Sequence, residues 1–297
     1  MNKDLHIAIY GNPFASHETM DRMADLIREL QTTTFAALDI VSDFHAALLK
    51  LHVPLPEMNV VEHPHEDTDV IVSVGGDGTF LRAVAWEGRG VIPIAGLNGG
   101  HLGYLTGWTM DELRVFVNDI ASRNYRVEPR ALIKVEGIPT GADSDRYALN
   151  EVAVLKESSA TMISVKAFID GDYLADYAAD GLIVSTPTGS TGYNLSVGGP
   201  ILEPALAAWV ISPVAAHSLN MRPLVVSDES EIELKANSRT GHLLLSLDGR
   251  SVRISQENTL RIVKAGFNAL VARKTDATFA ETLRKKLYWG LTGNGLS

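Results

Sequence analysis

Hydrophobic and polar positions in the first 120 residues follow the pattern of strands that alternate with helices. Short apolar runs are typical of strands buried on both faces, and they cover residues 5–10, 37–41, 70–74 and 91–95. Between them, apolar residues recur at helical spacing and predict helices over residues 17–31, 42–51 and 80–86. Ser16, Ser42 and the capping box Thr109–Glu112 are predicted helix starts. The alternation predicts a parallel, doubly wound α/β domain.

After residue 120 the pattern changes to many short strands with turns between them. The predicted strands cover residues 131–135, 147–156, 164–169, 173–177, 183–184, 224–226, 231–235, 243–247 and 260–263. Asp170–Gly171 and Asp248–Gly249 are typical of tight hairpins. Short strands at regular spacing predict a β-rich, sandwich-like domain.

These patterns predict three segments. Residues 1–120 form the α/β domain, residues 121–270 form the β-rich domain, and residues 271–297 form a helical tail. The tail is helical in character over residues 277–287, and we expect it to pack back on the first domain.

Composition limits the classes of function. The chain has 297 residues, a net charge of −10 and no basic run, which argues against nucleic acid as a partner. It has no cysteine, so disulfides and thiolate catalysis are excluded. The longest apolar region, 201–216, is interrupted by Glu203, Pro204 and Pro213, and the N-terminal apolar run is too short for a signal peptide. We therefore expect a cytoplasmic protein with no membrane partner.

The stretch 69–79 joins a predicted strand to a predicted helix through glycines. Gly75, Gly76 and Gly78 would let a phosphate lie against the main chain near Thr79, where the first turn of the helix has unpaired N–H donors. A carboxylate repels phosphate, so the presence of Asp77 in a predicted phosphate-binding loop requires an explanation. We predict that it accepts a proton from a hydroxyl that attacks a phosphoryl group. The alternative is turn chemistry without a ligand.

Two further stretches contain candidate ligand-binding residues. Residues 180–200 join a predicted strand to a loop rich in glycine and hydroxyl residues, in which Tyr193 could stack on a base or ribose. It is not a nucleophile elbow, because Thr188 stands where that motif has glycine. Asn150 and Glu151 lie inside an apolar strand, so one of them is expected to face the interior or a cleft.

Taken together, four segments resemble the NAD kinase family. They are Gly–Gly–Asp–Gly–Thr at 75–79, Asn–x–Gly–x–Leu–Gly–Tyr at 98–104, Asn–Glu at 150–151, and the stretch 180–200. The first segment also occurs in diacylglycerol, sphingosine and 6-phosphofructokinase relatives. The resemblance implies an N-terminal α/β domain and a β-rich C-terminal domain with the active site between them.

The resemblance also implies a reaction and its participants. The γ-phosphoryl group of ATP is transferred to the 2′-hydroxyl of the adenosine ribose of NAD, with a divalent cation, expected to be Mg²⁺, in a homodimer or homotetramer. Asp77 resembles the catalytic base, and Gly75, Gly76 and Thr79 form the phosphate loop. The implied dinucleotide-binding residues are Gly78, Tyr104, Asn150, Glu151, Asp180, Thr191, Gly192, Tyr193, Asn194 and Ser196.

Three positions depart from the family pattern. Gly192 stands where alanine is usual, Arg250 where glutamine often follows Asp–Gly, and Thr161 where a basic residue is common. Two other functions are compatible with parts of the pattern. One is a kinase of the same wider group that acts on a lipid or sugar, and the other is a non-catalytic sensor of NAD or NADP. Acidic net charge argues against a lipid substrate, and Asp77 argues against a sensor.

Overall fold

The chain divides into two units, Met1–Glu128 with Leu270–Ser297 and Pro129–Ala269. The structure is a computed structural model that describes residues 5–52, 54–99, 103–138, 146–157, 162–287 and 289–290. Two long strands, Tyr125–Glu136 and Thr259–Lys274, each begin in one unit and end in the other.

The first unit contains alternating strands and helices, as the sequence predicts. Its strands are β1 (His6–Gly11), β2 (Ala37–Val41), β3 (Asn59–Val61), β4 (Val70–Val74), β5 (Ile94–Asn98) and β6 (Trp108–Thr109). Its helices up to residue 122 are α1 (His17–Thr34), α2 (Ser42–Leu49), α3 (Asp77–Glu87) and α4 (Leu113–Ser122).

These strands form a parallel sheet with the order β5-β4-β1-β2-β3. One face of the sheet packs against α1, α2 and α4 in one core. This face includes Ile7 and Ile9 of β1, Leu38 and Ile40 of β2, and Val70, Val72 and Val74 of β4. Gly96 lies on the other side of β5 from Ala95 and Leu97, and an added Cβ there would meet Phe80 of α3. Helices therefore cover both faces, which makes the unit doubly wound. Strand order reverses between β4 and β1, and ligands of such sheets bind beyond the carboxyl ends of strands at that point.

The second unit is built from antiparallel strands. They are β7 (Tyr125–Glu136), β8 (Tyr147–Ala148), β9 (Glu151–Lys156), β10 (Ile163–Ile169), β11 (Asp172–Ala179), β12 (Gly181–Ser185), β13 (Ala208–Val214), β14 (Leu224–Ser227), β15 (Ile232–Asn237), β16 (His242–Leu247), β17 (Arg250–Ser255) and β18 (Thr259–Lys274). A short helix, α5 (Tyr193–Ser196), follows β12.

One sheet of this unit has the order β14-β13-β12-β9-β16-β17. A second set of antiparallel strands has the order β11, β10, β15 and the first part of β18. Val154 and Val184 of the first set share a core with Val165 and Leu234 of the second. The two sets enclose one hydrophobic core, so the β-rich, sandwich-like prediction is confirmed.

A last helix, α6 (Phe279–Leu287), follows β18 and belongs to the first unit. The final residues of β18 pair parallel with β5, through Val271 with Ile94 and Ala272 with Ala95. No helix among the described residues is both long and apolar enough to cross a membrane.

Several predicted boundaries are wrong, each for a local reason. Ser42 is the first residue of α2 and not its cap, which is Val41. Residues 91–93 are not in a strand, because the Glu87 carboxylate binds the amides of Gly90, Val91 and Ile92 and holds a turn there. The predicted strand 147–156 is two strands, β8 and β9, separated by residues 149 and 150.

Candidate functional site

The first candidate site is the loop between β4 and α3. Gly75 has a φ of 151°, a conformation that favours glycine, and an added Cβ would lie 2.4 Å from Thr79 Oγ1. Thr79 itself is buried beneath it. Helix α3 begins at Asp77, three residues before the sequence predicts, with Gly76 as its cap. The carboxylate is therefore part of the first helical turn and not of the preceding loop.

Gly76 and Gly78 leave open space around this helix start. Both are exposed, and a Cβ added at either position would meet no atom within 4 Å. Among the described residues no side chain caps α3, and the Thr79 amide donates to the Gly76 carbonyl at 2.9 Å. A helix start with open space and without a side-chain cap is suited to an anionic group such as a phosphate.

The Asp77 carboxylate is held by main-chain amides from a distant loop. Its Oδ2 accepts a hydrogen bond from the Tyr104 amide at 2.7 Å, and its Oδ1 accepts one from the Leu105 amide at 3.1 Å. The two amides come from consecutive residues of one loop, so they hold both carboxylate oxygens from the same side. Asp77 is thus fixed in direction and remains partly exposed.

Glycine at position 103 is required for this arrangement. A Cβ added to Gly103 would lie 1.7 Å from Asp77 Oδ1, so any side chain would displace the carboxylate. The loop is shaped by Thr106, whose Oγ1 accepts hydrogen bonds from the Gly103 amide at 3.0 Å and from Asn98 Nδ2 at 3.3 Å. Residues 100–102 of the predicted motif lie outside the described residues.

Two cations of the C-terminal segment lie beside this carboxylate. Arg273 is buried, and its Nη1 donates to the carbonyls of Tyr104 and Leu105 at 3.0 and 3.2 Å. Its Nη2 donates to Thr282 of α6 at 3.5 Å, and Lys286 lies one turn further on the same face. Burial lowers the pKa of Lys286 to about 8, while the charge of Asp77 opposes that shift and Arg273 adds to it.

Tyr104, a predicted dinucleotide contact, has a buried hydroxyl. Among the described residues this hydroxyl has no hydrogen-bond partner. Burial and, to a smaller extent, the charge of Asp77 raise the pKa of the Tyr104 phenol. A buried donor without a partner is uncommon, and it is consistent with a role in binding a ligand.

The second candidate site surrounds Asn150 and Glu151 in the other unit. Asp248, at the β16–β17 hairpin, accepts hydrogen bonds from three successive amides. They are Leu149 at 2.7 Å, Asn150 at 2.8 Å and Glu151 at 3.1 Å. These bonds account for the break between β8 and β9, because amides that bind Asp248 cannot pair in a sheet ladder.

The side chains of this pair present unused polar atoms. Within the described residues, the buried atoms Asn150 Oδ1 and Glu151 Oε2 have no hydrogen-bond partner. Burial, followed by the charge of Asp248, raises the pKa of Glu151 to about 7, against a hydrogen bond from the Tyr193 amide. Glu151 therefore changes charge close to neutral pH.

The glycine-rich loop after β12 lies against the same pair. A Cβ on Gly189 would lie 2.0 Å from the Asn150 carbonyl oxygen, and a Cβ on Gly192 would lie 3.0 Å from Glu151 Oε2. The alanine that is usual at position 192 would contact this carboxylate, so Gly192 leaves space in front of it.

Several hydroxyl and amide groups of the loop are used within the protein. Ser190 is buried and bonds to Pro187 O at 2.6 Å and to the Leu202 amide at 2.9 Å. Asn194 is fully buried; its Nδ2 donates to two carbonyls and its Oδ1 accepts from Ser212 at 2.7 Å. Asn194 therefore holds the loop in shape and has no free polar group for a ligand. Tyr193 and Ser196 are exposed, and Thr191 is partly exposed.

Asp180 is not brought to this pair within the unit. It precedes β12, whereas residues 186–192 follow the other end of that strand. The strand has five residues, so the two ends are roughly 17 Å apart. Asp180 forms an ion pair with Lys156 at 2.6 Å. Arg250 donates to the Tyr147 carbonyl, and Thr161 lies outside the described residues.

Three residues of these sites were not predicted from the sequence: Asp248, Arg273 and Lys286. In the sequence, Asp248 is part of an Asp–Gly pair that predicts only a hairpin. Arg273 lies in a strand and Lys286 in the C-terminal helix, and neither is part of a motif. The one available signal was the Asp–Gly dipeptide after an apolar strand, which is also typical of turns without function.

Models of known families match both parts of the chain. Residues 15–125 match the ATP-NAD kinase N-terminal domain, and residues 149–274 match the ATP-NAD kinase C-terminal domain. NAD kinase of Bacteroides fragilis is 38% identical over 289 residues, which are 96% of this chain and 98% of the relative. NAD kinase of Porphyromonas gingivalis is 38% identical over 294 residues, with the same coverage.

Solved structures show the same similarity. An NAD kinase from Archaeoglobus fulgidus in complex with ATP aligns with a TM-score of 0.72 at 28% identity, over 95% of this chain and 99% of that one. Yeast NADH kinase complexed with NADH aligns with a TM-score of 0.84 over 98% of this chain and 90% of that one. At 24% identity, the yeast enzyme supports the fold.

Proposed function

The chain belongs to the NAD kinase family, and on that premise we propose that Asp77 is the general base of its reaction. The known reaction of the family is the ATP-dependent phosphorylation of NAD. The γ-phosphoryl group of ATP is transferred to the 2′-hydroxyl of the adenosine ribose, and NADP is formed.

The observation that carries the proposal is the placement of the Asp77 carboxylate. Two amides fix it at a helix start that is open to solvent and flanked by two exposed glycines. Each carboxylate oxygen has two lone pairs, and each amide occupies one. A lone pair therefore remains on each oxygen to accept the proton of the attacking hydroxyl, in a direction that the amides define.

The surrounding groups suit an in-line transfer. The first-turn N–H groups of α3 can bind phosphate oxygens beside Gly76 and Gly78. Arg273 binds the carbonyls of Tyr104 and Leu105, the two residues whose amides bind Asp77. Lys286 supplies a second cation, which interacts with Asp77 and Arg273. Positioning and charge stabilisation are the main contributions that a protein makes to phosphoryl transfer.

A divalent cation is part of this proposal, with Mg²⁺ as the expected ion. Among the described residues no cluster of three or more acidic or histidine side chains could hold a metal. Mg²⁺ commonly binds through one or two carboxylates together with substrate phosphates, so the single carboxylate of Asp77 fits such a site. The ion would supply neutralisation of charge on the phosphates.

The second unit is proposed to bind the dinucleotide. Asn150 and Glu151 have buried polar atoms available for ribose hydroxyls, and Tyr193 is exposed and able to stack on the adenine. Gly78, Tyr104, Thr191, Gly192 and Ser196 remain proposed contacts. The nicotinamide-side role of Asp180, the cytoplasmic location and the homodimer or homotetramer stay predictions.

A coupled assay tests the function. The purified protein is incubated with ATP and NAD, with and without Mg²⁺, and NADP formation is followed through an NADP-specific dehydrogenase. We expect NADP formation that depends on ATP and on the cation.

Parallel reactions distinguish the alternatives. Consumption of ATP with diacylglycerol or a sugar, and none with NAD, would identify another kinase of the wider group. Binding of NAD without consumption of ATP would identify a sensor, and either result would reject the proposal.

A further inference from the structure

The hairpin between β16 and β17 places a carboxylate against the main chain of the proposed dinucleotide site. Asp248 accepts the amides of residues 149, 150 and 151, and its own amide donates to the Glu151 carbonyl at 3.1 Å. From the opposite side, the Asn150 carbonyl accepts the Thr186 amide at 2.9 Å, and Thr186 Oγ1 donates to the Leu149 carbonyl at 2.6 Å. The main chain at Asn150 is thus fixed on both its N–H and its C=O sides.

Both side chains of this fixed segment have a polar atom that is available to a ligand. Within the described residues, Asn150 Oδ1 and Glu151 Oε2 are buried polar atoms without partners. Buried polar atoms of a fixed backbone are available to a ligand without loss of main-chain order.

The groups next to Glu151 lie on both neighbouring strands and on α5. Across the sheet Glu151 pairs with the uncharged Ser185 of β12, and on the β16 side its carbonyl accepts the Asp248 amide. Tyr193 of α5 donates its amide to the carboxyl group. The charge of Asp248 acts on Glu151. Burial raises the pKa of Asp248 itself, and the three amides that it accepts and the charge of Arg250 oppose that shift.

From this geometry we propose that Asp248 is a positioning residue of the dinucleotide site, which orients Asn150 and Glu151 for the ribose hydroxyls of NAD. Its charge adds to the larger effect of burial in raising the pKa of Glu151, and both favour the protonated carboxyl group before NAD binds. The inference rests on the proposed function. Ribose hydroxyls are commonly bound by an ionised carboxylate, as in dinucleotide-binding folds. NAD that donates a hydroxyl to Glu151 would therefore favour the carboxylate, and the proton would leave to solvent on binding.

The chain contains a matched control in the same unit. Asp170 occupies the equivalent turn position between β10 and β11, with a φ of 52° against 50° for Asp248. Its amide donates to the Glu231 carbonyl at 2.9 Å, and its Oδ1 accepts the Glu231 amide at 2.8 Å. Asp170→Asn and Asp248→Asn thus make the same change in the same kind of hairpin, and only Asp248 contacts the proposed site.

Calorimetry of NAD binding to the full chain tests the proposal. Titrations at pH 6 in buffers of different ionisation enthalpy give the number of protons released, and titrations at pH 8.5 give the affinity with Glu151 ionised. We expect the wild type and Asp170→Asn to release a fraction of a proton at pH 6. Asp248→Asn should release less, because the charge of Asp248 would no longer add to the effect of burial on the pKa of Glu151. It should bind roughly tenfold more weakly at pH 8.5, because one oxygen acceptor is lost.

Other outcomes overturn the proposal. They are equal proton release by the wild type and Asp248→Asn, or unchanged affinity of Asp248→Asn at pH 8.5. If Asp248→Asn does not fold, Glu151→Gln gives the test, since it should bind NAD without proton release; release that persists in this variant would reject the role of Glu151. A wild type that does not bind NAD at all would instead reject the proposed function.

Discussion

At the residue scale, Asp77 and Glu151 are carboxylates in opposite environments. Asp77 accepts two amide hydrogen bonds, at 2.7 and 3.1 Å, and is partly exposed to solvent. Burial and the charge of a second carboxylate raise the pKa of Glu151 to about 7. The environment of Asp77 suits a residue that accepts a proton from a fixed direction, and that of Glu151 suits a residue whose charge responds to a ligand.

Asp77→Asn should lower kcat by roughly 10²–10⁴-fold, the usual contribution of a positioned base, with little change in the dissociation constant for NAD. Steady-state kinetics and direct NAD binding measure the two quantities. Asp43→Asn is the control, because Asp43 is an exposed acidic residue in the first turn of α2. Near-normal turnover by Asp77→Asn would remove Asp77 from the mechanism.

At the element scale, the loop after β5 determines where the Asp77 carboxylate can lie. The Tyr104 and Leu105 amides hold it, Thr106 shapes the loop, and Arg273 binds the carbonyls of the same two residues. Two glycines of this loop differ in their surroundings. A Cβ added to Gly103 would lie 1.7 Å from Asp77 Oδ1. A Cβ added to Gly107 would have the Ala272 carbonyl oxygen as its nearest atom, at 3.7 Å, which is an ordinary contact distance.

Gly103→Ala is therefore expected to displace Asp77 and to reduce kcat by at least roughly 100-fold, as expected for a misplaced catalytic group. Gly107→Ala in the same loop should retain activity within a few-fold of the wild type. Kinetics of the two variants, with thermal unfolding to verify folding, provide the comparison. Equal activity of both variants would show that the observed amide contacts do not position the base.

Helix α6 carries two adjacent lysines with different surroundings. Lys285 forms an ion pair with Glu281 at 2.7 Å, whereas Lys286 is partly buried and interacts with Asp77 and Arg273. Lys286→Met should reduce kcat about tenfold, because a cation beside the transferred phosphoryl group is lost. Lys285→Met should have little effect. The prediction fails if the two variants have the same kcat.

At the scale of the whole molecule, the raised pKa of Glu151 has a consequence for stability. In the unfolded chain Glu151 titrates near 4.5, and in the folded protein at about 7. The folded state binds the proton more tightly, so the contribution to stability is complete below pH 4.5 and is lost as the pH rises through 7. The stabilising contribution of this carboxyl group is therefore absent above about pH 7.

Glu151→Gln should accordingly raise the free energy of unfolding at pH 8 by up to about 3 kcal/mol, from 1.36 kcal/mol for each pKa unit of the shift. Almost no gain is expected at pH 4, where the side chain is neutral in the folded protein and mostly neutral in the unfolded chain. Denaturant unfolding of the variant and the wild type at the two pH values measures the difference. A gain of the same size at pH 4 would exclude titration of Glu151 as its cause.

The sequence by itself determined the elements and the family. The strands β2 and β4, the Ser16 cap of α1, the Thr109–Glu112 capping box and the two Asp–Gly hairpins follow from patterns within a few residues. Burial, capping and turn preferences are local, so the printed sequence is sufficient to predict them. The four motifs were sufficient for the family, which the relatives confirm.

Only the tertiary structure decided which groups meet. Asp77 binds amides 27 and 28 residues away, and Asp248 binds amides 97 to 99 residues away. In the tertiary structure Asp180 lies at the opposite end of β12 from the loop that follows this strand. The Asn194 side chain forms hydrogen bonds to Ser190 and Ser212 within the protein. These contacts depend on which strands are neighbours in a sheet and on which loops leave the same edge, and no local preference of the chain encodes either property.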